Sequence, residues 1–78
     1  MTVRILVVDD SSLQRRAIAT LLAPYDCAIE EAADGAAGLC AVRAEPPDLV
    51  LLDYNMPVMD GLGFLRELRA DPAISKVV

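Results

Sequence analysis

Three aspartates carry the chemistry of this 78-residue chain. Asp9 and Asp10 close the apolar run that starts at Val3, and Asp53 closes the run Leu49-Val50-Leu51-Leu52. A carboxylate is a hard oxygen ligand for a divalent cation and a workable nucleophile toward phosphorus. Each element also has a plainer reading. An acid pair ahead of a helix caps its N-terminus. A lone acid after a strand forms a turn. The joint pattern is less easily explained by capping and turns, because it sets a pair and a single acid at the equivalent ends of two apolar runs. Gathered in a small volume, three like charges repel and call for a cation. No Lys or Arg stands at either run's end to supply it. Mg²⁺ suits such a place, since it takes one or two carboxylates, a carbonyl, retained waters and a phosphoryl oxygen at about 2.0–2.1 Å.

The elements that must position these acids follow from the pattern around them. Val3 to Val8 is a short apolar run rich in Val and broken only by Arg4, as in a buried parallel strand. Asp9-Asp10-Ser11-Ser12 supplies loop and N-cap chemistry. Leu13, Ala17 and Leu21, with Ile18 and Leu22, recur at helical spacing, which predicts a helix from about Ser12 to Ala23, stopped by Pro24. Cys27 to Ala32 reads as a second strand. Asp34-Gly35 starts a turn into an Ala-rich helix that runs to about Ala44, and Pro46-Pro47 closes it. Leu49 to Asp53 is the third strand. Gly61 precedes a third helix carried by Leu62, Leu65 and Leu68 and ending near Asp71-Pro72. Val77-Val78 reads as the opening of a fourth strand. The order βαβαβα(β) implies an α/β fold with a parallel sheet and right-handed crossovers. In such sheets ligands bind beyond the carboxyl ends of the strands, where the strand order switches. If the first and third strands are neighbours, the three aspartates share one rim.

Composition excludes several functions. Twelve acidic residues against seven basic ones give a net charge of −5, so no basic stripe exists to neutralise the phosphates of a nucleic acid. No window reaches the roughly 18 apolar residues that a membrane span requires. The start MTVRILVV meets Asp9-Asp10 too early for a signal peptide, and a cytoplasmic location is expected. Histidine is absent, which removes Ser-His-Asp catalysis, His-ligated zinc and a histidine base from this chain. Cys27 and Cys40 lack a CxxC spacing and are expected to be small buried apolar residues. Length allows one small domain at most.

Three segments resemble one family. ILVVDDSSLQRR is similar to the first strand and helix opening of response-regulator receiver domains, and EEAADGAAGL to their second strand, turn and second helix. LVLLDYNMPVMDG resembles their phosphoacceptor strand and following loop, the most specific of the three. The resemblance runs from Val3 to Val78 and identifies residues 1–78 with the N-terminal portion of a single receiver domain of a two-component system. It implies a flavodoxin-like doubly wound parallel sheet of strand order 2-1-3-4-5. It makes Asp53 the phosphoacceptor. Asp9 and Asp10 become the acid pair for Mg²⁺ or Mn²⁺, with Asp10 touching the metal and Asp9 acting through water. Asn55 offers its backbone carbonyl to the metal and turns its side chain toward the phosphoryl group. Pro57 and Gly61 shape the loop, Met56 and Met59 pack, and Asp60 opens the next helix. The implied donor is a histidine kinase or a histidine phosphotransfer protein. The chain is then no enzyme beyond Mg²⁺-dependent self-phosphorylation and self-dephosphorylation.

Rival readings fit less well. A phosphatase of the haloacid-dehalogenase type wants a second Asp two residues after its nucleophile, where this chain has Asn55. A flavin-binding module needs Ser, Thr and Gly donors after its first strand, where Asp9-Asp10 would repel the phosphate. A pseudo-receiver that never takes phosphate is a further alternative. The family's Thr or Ser ending a fourth strand and Lys ending a fifth have no counterpart before Val78, and neither Ser75 nor Lys76 is so placed. An incomplete sheet of this kind also leaves the third strand as an edge, so self-association through that edge is expected.

Overall fold

The computed structural model describes residues 2–53, 56 and 58–78. Its elements in chain order are β1 (Val3–Val8), α1 (Ser12–Leu22), β2 (Cys27–Ala32), α2 (Gly35–Ala44), β3 (Leu49–Leu52) and α3 (Gly61–Ala70). The strands form a parallel sheet of order β2-β1-β3, the switched order that places β1 and β3 side by side. Val3 pairs with Cys27 through to Val8 with Ala32, and Ile5 pairs with Leu49 through to Val8 with Leu52.

Each helix begins at a side chain that satisfies an orphan N–H of its first turn. Ser11 Oγ accepts from Gln14 N at 3.1 Å, Asp34 Oδ1 from Ala37 N at 2.8 Å, and Asp60 Oδ1 from Gly63 N at 2.8 Å. Asp60 thus has the helix-opening role expected of it. α1 ends at Leu22, one residue short of expectation, because Ala23 N already bonds Thr20 O in a tighter turn ahead of Pro24.

Successive strand residues point to opposite faces. Leu6, Val8 and Ala32 meet Leu39 and Val42 of α2, Phe64 and Leu68 of α3, and Ile74, forming a buried apolar core. Gly38 lets these layers close: a Cβ there would lie 3.0 Å from both Phe64 and Val8. Met56 and Met59 pack against this core. The opposite face carries Val7 and Leu51, which line a cleft together with Ile18 of α1.

Several sequence expectations change in detail. No residue of α1 is buried, and Leu13 and Leu21 are 79% and 73% exposed. Its inward side is Arg15, Ile18, Ala19 and Leu22, all half-buried. In α3 the buried face is Gly61, Phe64 and Leu68, while Leu62 and Leu65 stay exposed. The cysteines were expected to be buried, yet Cys27 is only half-buried on the edge strand β2 and Cys40 is exposed. The reason for Cys40 is angular: Gly35, Gly38, Leu39 and Val42 form the inner face of α2, and position 40 turns away from it. Residues 77–78 form no strand, although Val50 N donates to Val78 O at 2.6 Å where a fourth strand would begin. Arg69 Nη1 holds that segment by donating to Ser75 O and to Val77 O.

The end of the sheet opposite Asp9 and Asp53 is fastened by one arginine. Arg4 N donates to Asp48 Oδ2 at 2.8 Å, and Asp48 N returns a bond to Arg4 O at 2.8 Å. The Arg4 guanidinium donates to Pro46 O at 2.9 Å and to Glu45 O at 3.2 Å.

Candidate functional site

The strand register brings the acids together. Val8 and Leu52 are partners, so the next residue of each strand emerges at the same rim. Asp53 N donates to Val8 O at 2.8 Å, and Asp9 N donates to Ala32 O at 3.0 Å, which carries the ladder one step past β3 and β1. One carboxylate oxygen from each of Asp9, Asp10 and Asp53 lies within 4.8 Å of the others. Asp9 is the most enclosed of the three, Asp53 is half-buried and Asp10 is exposed. The expected meeting of the three aspartates is therefore present.

Their surroundings differ. Asp9 Oδ1 accepts from Ser11 N at 2.9 Å, a turn that bends the chain into α1. The carboxylates of Asp10 and Asp53 have no partner among the described residues. Hard, anionic oxygen donors within a few ångströms, two of them unengaged, match the donor set of an oxygen-liganded divalent cation. The residues present fit Mg²⁺ on that ground. Asn55 and Pro57, the other expected contributors, lie outside the described residues.

The loop beyond the site is docked on α2. Gly35 N donates to Met59 O at 3.1 Å. A Cβ at Gly35 would lie 2.5 Å from that oxygen and 2.8 Å from Met59 Cγ, so only glycine allows the approach. Exposed Val58 takes a left-handed φ of 67°, costly for a β-branched residue.

Sequence reasoning passed over Arg15. Its Nη1 donates to Asp9 O at 2.6 Å and its Nε to Glu31 Oε1 at 2.9 Å, so a cation does reach the rim from the first turn of α1. The available signal was its place, one helical turn after the N-cap Ser11, with Glu31 near the end of the neighbouring strand.

The family model for the response regulator receiver domain matches residues 5–78. A protein-glutamate methylesterase/protein-glutamine glutaminase of Anaeromyxobacter dehalogenans is 46% identical over 78 residues, covering 97% of this chain and 22% of that protein. A probable chemotaxis protein CheY of Rhizobium etli is 36% identical, covering 95% of this chain and 58% of that protein. The crystal structure of the N-terminal domain of a response regulator receiver protein from Methanoculleus marisnigri superposes with a TM-score of 0.91 at 40% identity. That match covers 95% of this chain and 60% of the other. The chain thus spans about a fifth of the methylesterase and three fifths of the other two. A switched parallel sheet, an acid rim at its carboxyl end and a match over nearly every residue lead to one conclusion: the chain belongs to the response regulator receiver domain family.

Proposed function

We propose that this chain is the phosphoacceptor module of a two-component system, taking a phosphoryl group onto Asp53 from a histidine kinase or a histidine phosphotransfer protein. The observation that carries the reading is the convergence of Asp9, Asp10 and Asp53 within 4.8 Å. Two of these carboxylates have no protein partner among the described residues. Asp10 and Asp53 would hold Mg²⁺ directly, with Mn²⁺ as a substitute. Asp9, already engaged by Ser11 N, acts through water. Asn55 adds its carbonyl.

When bound, the cation neutralises charge on the transferring oxygens and aligns the donor with its nucleophile. An Asp53 oxygen attacks phosphorus and a new O–P bond forms. The bond from phosphorus to the donor's ring nitrogen breaks, and its electron pair stays on that nitrogen. The backbone bond from Asp53 N to Val8 O keeps the nucleophile in place through the exchange. The product acyl phosphate adds charge at the rim, which biases a two-state equilibrium of the domain.

A small acyl-phosphate donor with Mg²⁺ tests the assignment. Intact-mass spectrometry should show one added phosphoryl group, lost when Mg²⁺ is chelated. Labelling that persists in Asp53→Asn would overturn it. A parallel Mg²⁺ or Mn²⁺ titration followed by NMR should lose its response at the rim in an Asp10→Ala, Asp53→Ala double variant.

A further inference from the structure

Resting on that reading, we propose that Arg15 is a positioning residue for the cation: it sets the direction of the Asp10 carboxylate through the Asp9 carbonyl. Arg15 is well shielded, with 15% of its side chain exposed. It joins three elements. Its backbone belongs to α1, its Nη1 donates to Asp9 O just past β1, and its Nε pairs with Glu31 Oε1 on β2 at 2.9 Å. The contact to Asp9 O, at 2.6 Å, is a charge-assisted bond.

The Asp9 carbonyl and the Asp10 N–H belong to one rigid peptide plane. Fixing the oxygen fixes the plane, and with it the bond from which Asp10 departs. Asp9 is pinned at two further points, its N–H to Ala32 O and its carboxylate from Ser11 N, and the following Ser11 Oγ receives Gln14 N. The Asp10 carboxylate makes no hydrogen bond or ion pair among the described residues. The point from which it reaches the rim is therefore set by the backbone, and Arg15 is the side chain that holds that backbone from the helix side. Mg²⁺ demands near-octahedral geometry, so small errors in ligand direction weaken it.

Coulomb's law alone makes the opposite forecast. A guanidinium near a cation site repels the cation, and its removal should tighten binding. The sign of the effect thus separates the two roles. Arg15→Met keeps the stem and removes both charge and donors. Arg15→Lys keeps the charge and an N–H donor group but loses the planar fork. Glu31→Gln removes the ion pair and leaves the carbonyl contact in place. Calorimetric titration with Mg²⁺ should show affinity about 10-fold weaker in Arg15→Met, mostly restored in Arg15→Lys, and changed less than about 2-fold in Glu31→Gln. Binding as tight as or tighter than the parent in Arg15→Met overturns the inference.

A metal-free arm keeps this apart from the proposed function. Amide exchange at Ser11, whose N–H bonds Asp9 Oδ1, should speed up about 10-fold in Arg15→Met while the Val7 and Val8 amides keep their protection. If the parent binds no Mg²⁺, the metal reading falls, and unchanged Ser11 exchange in Arg15→Met would remove the positioning role as well. If Arg15→Met does not fold, Arg15→Lys carries the test: full parental affinity together with loss of the ordered contact to Asp9 O overturns it.

Discussion

The two faces of the sheet are built on different principles. Toward α2 and α3 the sheet is sealed by Leu6, Val8, Leu39, Val42, Phe64, Leu68 and Ile74, all buried. Toward α1 no helical residue is buried, and the helix is held by an N-cap, by the reach of Arg15 to Asp9 and Glu31, and by the half-buried Ile18, Ala19 and Leu22. One face is secured by volume and the other by direction. The acid rim lies where they meet: Asp53 leaves the strand whose residues serve both faces, while Asp9 and Asp10 lead into the polar-held helix. Packing energy is non-directional and hydrogen bonds are not, which suits a stable floor on one side and an aimed segment on the other.

That contrast can be broken in four places. Phe64→Ala should cost the most, about 3–5 kcal/mol, because it opens a cavity between Gly38 and Val8 in the sealed face. Urea denaturation measures it, and a loss under about 1 kcal/mol would show that this face is no core. Gly35→Ala should follow at about 1–3 kcal/mol, since its methyl must displace the backbone oxygen of Met59. The same variant should shift the amide resonances of residues 58–60, and an unshifted loop would argue against the docking. Ser11→Ala removes the cap of α1 and should cost about 1 kcal/mol, with exchange accelerated in the first turn of that helix ahead of the rest. The smallest change belongs to the open face. Leu13→Gln with Leu21→Gln should alter stability by less than about 0.5 kcal/mol. A loss above 2 kcal/mol would mean that α1 is packed after all and that the contrast is false.

The alternation of elements was legible because apolar runs, caps and prolines punctuate this chain cleanly. β1, β2 and the acid rim follow from Val3–Val8, Cys27–Ala32 and the strand-ending aspartates. Which side of a helix faces inward was less so. Leu13, Ala17 and Leu21 have the spacing of a buried stripe, yet periodicity says only that a face is apolar and not that anything covers it. Cys40 fails for a similar reason, since a residue type carries no angle. The left-handed Val58 was illegible because glycine or asparagine is the usual mark of that conformation. The arginines were hidden by reach: Arg15 and Arg69 act on carbonyls, and every residue owns one of those.

The Arg4–Asp48 clamp makes the sheet a ruler. Its zero mark is at one end, where two backbone-linked bonds fix Asp48 against Arg4, and its reading is taken at the other, where Asp53 stands. Five residue steps at about 3.3 Å each put about 17 Å between mark and reading. Adding or deleting one residue between 48 and 53 would slide the carboxylate by a full step and turn it to the opposite face of the sheet. The interval after the clamp cannot change in length without moving the carboxylate, whereas residues 45 and 46 before it are tied to Arg4 through their carbonyls. Chain-length tolerance should therefore change abruptly at Asp48, a boundary set by metrology and not by stability.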